Sequence, residues 1–147
     1  MLIIIILSII ILDQITKYIA LSYSYRLPLE IWQGAFAINL VRNSGGSFGL
    51  LKKYPLFFLL MTIAAICIIS VYLYKRRERL PLIFRISLSM VLGGASGNLI
   101  DRIRYGYVVD FLDFKVWPVF NVADSCITIG ITILACGMIF NKKMEGH

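Results

Sequence analysis

Acidic residues are few in this 147-residue chain: eight Asp and Glu stand against fifteen Lys and Arg, a net charge of +7. Histidine is rarer, with a single copy, His147, at the last position, so no internal imidazole exists for a catalytic triad or a zinc-binding motif. The three cysteines, Cys67, Cys126 and Cys136, fall in apolar runs without a CxxC spacing, which argues against a disulfide framework and against a structural zinc site. Charged residues make up only 16% of the chain, too few for the surface of a soluble domain. Repeats, low-complexity tracts and a second, polar domain are likewise missing.

What is present is hydrocarbon. Hydrophobic residues account for 59% of the chain, and the mean hydropathy is +0.83. A helix needs about 20 apolar residues to cross a bilayer, and four runs approach that length: Leu2–Leu21, Leu56–Tyr74, Leu82–Ile100 and Val122–Phe140. The expected fold is an all-α integral membrane protein, one membrane domain over residues 1–147 with four transmembrane helices. The first run has no basic segment before it and no small-residue cleavage pattern after it, so it reads as a retained span rather than a secretory signal. Basic residues cluster at span ends, which suits anionic lipid headgroups and not nucleic acid.

Four spans place both termini on one side. Basic residues are evenly divided in number, but Lys75, Arg76, Arg77, Arg79 and Arg85 crowd the short connection between the second and third runs. That density marks a cytoplasmic loop, so the termini are expected inside and the two other connections outside. The first outer connection, about residues 22–55, is long for a structureless loop. Its "AFAINLVRNSGGSF" joins β-formers to a turn cluster, predicting a small extracytoplasmic β-element between helices 1 and 2, with Trp32 and Phe36 at the membrane interface.

Half of the acids lie on that side, in or beside the stretch 93–114, "GGASGNLIDRIRYGYVVDFLDF". Gly93-x-x-x-Gly97 offers a small-residue face for close helix packing, and Gly94, Asn98 and Arg102 follow at four-residue intervals on one stripe. Asp13 and Lys17 are also four apart, a spacing that suits an ion pair at a helix end with Lys17 reaching the headgroups. Asp101 reads as a local pairing at the end of the third helix, and Asp113 as a solvated loop carboxylate. Asn121-Val-Ala-Asp124 has the pattern of a capping box opening the fourth helix. Asp110, set between "YVV" and Phe111, has no such account, and an unpaired carboxylate among apolar residues at a membrane is costly. Two carboxylates brought together there share a proton, giving one acid and one base. Such a pair activates water and protonates a scissile carbonyl without a metal or a nucleophilic side chain.

These residues then meet a known pattern. "LDQITK" (12–17), "NSGGSFG" (43–49), "GGASGNLIDR" (93–102), "GYVVDF" (106–111) and "FNVADSCI" (120–127) resemble, in order, the motif blocks of the bacterial lipoprotein signal peptidases, the signal peptidase II family. The resemblance implies an aspartyl endopeptidase of the bacterial cytoplasmic membrane, multi-pass, that cuts diacylglyceryl-modified prolipoproteins immediately before the lipidated cysteine. It implies Asp110 and Asp124 as the catalytic dyad and Asn43, Asn98, Arg102, Asn121, Asp13 and Lys17 as residues of the substrate site, with Asp101 structural. It further implies no cofactor or metal, contact with membrane lipids, and inhibition by globomycin-type cyclic peptides. One departure stands out: the family block often reads N-x-G-A-A-F, where Gly46 and Ser47 replace the two alanines here. Two rival functions fit the acids less well. A metal-dependent enzyme of phospholipid headgroups lacks the right acid spacing, and a proton-coupled transporter lacks paired broken helices.

Overall fold

The computed structural model of the chain describes residues 1–45 and 55–144, with side chains through 139. Four long helices form where the apolar runs predict them: α1 (Leu2–Ser22), α2 (Pro55–Arg76), α3 (Leu82–Tyr105) and α4 (Val122–Met144). All four are long and apolar enough to cross a membrane. Their burial is the inverse of a water-soluble bundle. On α1 Ile3, Ile4, Ile11, Ile15 and Ile19 point outward, Ile3 70% and Ile4 67% exposed, whereas the buried residues are Asp13, Lys17 and Ala20. Lipid solvates the isoleucines as well as a protein core would, so helix contacts go instead to small and polar side chains.

Helix α3 is the axis of the bundle and packs on α1, α2 and α4. Its buried set is Ser87, Ser89, Val91, Leu92, Gly93, Gly94, Ala95, Gly97, Asn98 and Asp101. Glycine is required at two of these places by proximity. A Cβ on Gly94 would run into the Ala123 carbonyl of α4, and one on Gly97 into the Asp13 carboxylate of α1. Helix α2 contributes a single buried residue, Leu73.

Outside the helices lies a three-stranded antiparallel sheet in the order β1 (Leu29–Trp32), β2 (Phe36–Asn43), β3 (Val108–Asp113). The expected β-element between α1 and α2 supplies the hairpin β1–β2. The third strand comes from the connection between α3 and α4, where the sequence suggested a loop. Val108 and Val109 are β-branched and suit a strand, but the acids at 110 and 113 disguise the pattern. Asn43 pairs with Val108, and Val41 with Asp110, across an irregular register. The chain after β3 closes with an isolated bridge, Leu112 to Phe120, where Phe114 stacks on Phe120 at 5.8 Å between centroids and meets a tilted Phe36 ring at 4.7 Å. Residues 46–54, which include Gly46 and Ser47 of the departing motif block, lie outside the described set, as does His147.

Helix α3 ends in a left-handed cap at Gly106, φ 77°, whose N–H donates to the Arg102 carbonyl at 3.1 Å. This cap turns the chain directly into β3. Two substitutions test these constraints. Gly97→Ala drives a methyl into the Asp13 carboxylate and should cost about 1–3 kcal/mol, as overpacking does, lowering the thermal unfolding midpoint in detergent. Gly106→Ala has open space for its Cβ and should lose only about 1 kcal/mol, from backbone strain alone.

Candidate active site

The site begins behind its surface, at Lys17. This ammonium is 2% exposed and does not reach toward the headgroups as its position near a helix end had suggested. Its three donors meet Asp13 Oδ2 at 2.8 Å, Asp101 Oδ2 at 2.8 Å and Asn98 Oδ1 at 2.9 Å. Two buried carboxylates therefore flank one cation, and their remaining lone pairs are taken by N–H donors. Asp13 Oδ1 accepts the backbone N–H of Ala123 at 3.0 Å, in the first turn of α4. Asp101 Oδ2 accepts the backbone N–H of Val109 in β3 at 3.0 Å. Gln14 Nε2 donates to Asp101 Oδ1 at 3.0 Å and to the Gly97 carbonyl at 3.2 Å. Asp101 finds its partners on α1 and β3 rather than at its own helix end, where a local pairing was expected. The cluster joins α1, α3, β3 and α4, with each charge met by an opposite charge or a hydrogen bond, the condition for burial.

Asn98 and Asn121 connect this cluster to Asp124 and Asp110, and Asn43 holds Asp110 from β2. Asn98 Nδ2 donates to Asp124 Oδ1 at 2.7 Å. Asn121 Nδ2 lies at 2.7 Å from Asp110 Oδ1 and 3.1 Å from Asn98 Oδ1. Asn43 Nδ2 donates to Asp110 Oδ2 at 2.9 Å. Asn121 also caps α4, its Oδ1 accepting the Asp124 N–H at 2.9 Å. Only half of the expected capping box forms, because the Asp124 side chain turns to Asn98 instead of back to its own cap. Asp110 and Asp124 come from different elements, β3 and α4, yet hang on one continuous chain of amides.

The two acids differ in surroundings. Asp110 is 1% exposed, and burial pushes its carboxyl up to about 7, with the Asp124 charge adding to the rise and the Asn43 and Asn121 hydrogen bonds opposing it. Asp124 is half-buried and borders two clefts. One, of about 330 Å³, is lined by Asn43, Phe58, Arg102, Pro118 and Ile127. The other, of about 420 Å³, is apolar and lined by Phe114, Trp117, Phe120 and Ile129. Arg102 is held over this region by a bond from Nη1 to the Asn98 carbonyl at 3.3 Å. Among the described residues, no three His, Cys, Asp or Glu side chains gather as metal ligands.

The structure therefore brings Asn43, Asn98, Arg102, Asn121, Asp110 and Asp124 together, and sets Asp13 and Lys17 one layer behind them. Asp113 is not a free solvated carboxylate: the Lys115 N–H at 2.9 Å, its ammonium at 3.1 Å and Asn39 at 3.2 Å bind it and hold its carboxyl below the usual range. Gln14 is the member that sequence reasoning missed. Its one signal was its place inside the "DQITK" block, since a glutamine in an apolar helix must find partners somewhere.

The chain is similar to known proteins along nearly its whole length. The family profile described as signal peptidase (SPase) II matches residues 5–140. The lipoprotein signal peptidase of Moorella thermoacetica is 42% identical over 138 residues, spanning 92% of this chain and 91% of that protein. That of Caldanaerobacter subterraneus subsp. tengcongensis is 43% identical over 144 residues, spanning 95% and 97%. A bacterial membrane enzyme solved by the in meso method at 2.3 Å superposes with a TM-score of 0.83 at 31% identity, covering 96% of this chain and 88% of that one. With the profile covering nearly the whole length, and with four spans and the motif residues converging on one site, the chain belongs to the signal peptidase II family of membrane peptidases.

Proposed function

We propose that this protein is an aspartyl endopeptidase that removes the signal peptide from diacylglyceryl-modified prolipoproteins, immediately before the lipidated cysteine, with Asp110 and Asp124 as the catalytic pair. The observation that carries this reading is the amide chain Asp110–Asn121–Asn98–Asp124, which ties a buried carboxylate to one of unlike environment that borders two clefts. Unlike environments separate an acid from a base. Asp110, buried and raised to about 7, is the proton donor. Asp124, in the first turn of α4 where the helix dipole favours negative charge, is the base.

In this mechanism Asp124 takes a proton from water as the water oxygen attacks the scissile carbonyl carbon. Asp110 delivers its proton to the carbonyl oxygen, and a tetrahedral diol forms. Collapse breaks the C–N bond, the leaving nitrogen receives the proton held by Asp124, and Asp110 recovers its proton from the diol hydroxyl. Asn98 and Asn121 orient the pair, and Asn43 and Arg102 border the cleft that takes the peptide. The crowd of basic residues between α2 and α3 supports cytoplasmic termini and a site facing outward from the bacterial inner membrane. Membrane lipids surround the spans, and globomycin-type peptides are the expected inhibitors.

The experiment is cleavage of a diacylglyceryl-modified prolipoprotein by purified protein in detergent containing EDTA. Wild type should cut, and Asp110→Asn and Asp124→Asn should each lose on the order of 10³-fold or more in kcat while remaining folded. Activity that depends on added divalent metal, or that survives either substitution, would sink the dyad. The pH profile is a separate check. A donor needs its proton, so kcat should fall as pH rises through about 7, the region to which the Asp110 carboxyl is raised. Asn43→Ala removes a hydrogen bond that pulls this carboxyl down, and should move the alkaline limb to higher pH.

A further inference from the structure

The three asparagines around the acids raise a question of polarity. A carboxamide presents an acceptor on one side and two donors on the other, and only the surrounding partners decide which way it faces. Asn98 has Lys17 Nζ at 2.9 Å and Asn121 Nδ2 at 3.1 Å on one side, and Asp124 Oδ1 at 2.7 Å on the other. Reversing the amide would set its NH2 against an ammonium and a second NH2, and its oxygen against a carboxylate. All three hydrogen bonds would become repulsive together.

Lys17 is what makes that orientation unconditional. Unlike a hydroxyl or water, an ammonium donates only, so the group beside it must accept. It cannot turn away, because its other two donors are engaged by Asp13 and Asp101 at 2.8 Å each. Nor is it in the clefts: Lys17 lines neither, and 2% of it is exposed. We infer that Lys17 is a positioning residue of the peptidase reaction, fixing the polarity of the Asn98 amide so that an N–H is held on Asp124 Oδ1 and Oδ2 is left as the oxygen that takes the water proton. This rests on the dyad reading above. Among the described residues Asp124 Oδ2 receives no hydrogen bond, whereas both oxygens of Asp110 accept one.

The same logic recurs with backbone donors in the place of the ammonium. The Gly45 N–H at 3.1 Å pins Asn43 Oδ1, and the Asp124 N–H at 2.9 Å pins Asn121 Oδ1, so both of those amides also turn their NH2 groups to Asp110. Those pins are local, within two or three residues of the asparagine. Asn98 Oδ1 is pinned from outside its own helix, by Lys17 of α1 and by Asn121 at the start of α4, and Lys17 is the pin that a substitution removes without taking a hydrogen bond from Asp110.

A double-mutant cycle with the full chain in detergent separates positioning from simple helix bracing. Lys17→Met, Asn98→Ala and the double variant are compared for kcat and KM on the lipid-modified substrate. If Lys17 acts through Asn98, Lys17→Met should lower kcat about 100-fold with KM changed less than about 3-fold, and the double variant should be no more than about 2-fold worse than Asn98→Ala alone. Losses that multiply across the two positions would overturn the proposal. Because Lys17→Met strands two buried carboxylates, the cycle is repeated in an Asp13→Asn background, where Lys17→Met leaves only Asp101 without its cation. A folded Asp13→Asn/Lys17→Met variant with kcat near wild type, or failure of both Lys17 variants to fold, makes Lys17 a brace only and rejects the inference. Asp124→Asn serves as the outer control: if that variant still cuts, the dyad reading itself falls, whatever the cycle shows.

Discussion

One ammonium group, shared among two carboxylates and an amide oxygen, holds the fold and the site in register. Lys17 reaches Asp13 on its own helix and Asp101 and Asn98 on α3, and the two acids in turn hold the first turn of α4 and the start of β3. In a bilayer the hydrophobic effect does not draw helices together, because lipid chains solvate isoleucine as well as protein does. Polar groups that have no other place to go can do so. Burying this cluster is unfavourable group by group and is sustained only because every member is matched. It therefore specifies one arrangement of four elements far more sharply than apolar contacts would.

The sheet extends that logic to the surface. β2 brings Asn43 from one connection and β3 brings Asp110 from the other, and their pairing at Asn43–Val108 and Val41–Asp110 sets the amide beside the carboxylate. A loop could not hold an acid 1% exposed with both oxygens bonded, since its own backbone groups would need partners as well. As a strand, the same segment satisfies its main chain through β2 and can bury Val108, Val109, Asp110 and Phe111 in succession.

How much of this was legible beforehand follows from where the information lies. The four helices were plain from hydropathy, because crossing a membrane leaves a run of apolar residues that nothing else requires. The residues of the site were legible as motifs, through the resemblance of five short blocks to a known family. Their mutual arrangement was not. Lys17 spaced four residues from Asp13 looks the same whether it points to headgroups or to the core, and only the presence of Asp101 and Asn98 across the interface decides. Asp101 likewise follows Asn98 by three residues and suggested a local bond, whereas its partners lie 84 positions earlier at Lys17 and 8 later at Val109. The third strand escaped because its two acids interrupt the apolar pattern by which strands are recognised.

Helix α2 shows the other side of this economy. It spans 22 residues and buries only Leu73, while α3 buries residues of seven different types and allows no Cβ at Gly94 or Gly97 without a shift. The chain thus carries its information unevenly. Along most of α2 the requirement is for oiliness and length, which many sequences meet; along α3 it is for shape, and few do. A library of apolar substitutions should pass freely through the first helix and be filtered almost position by position in the second.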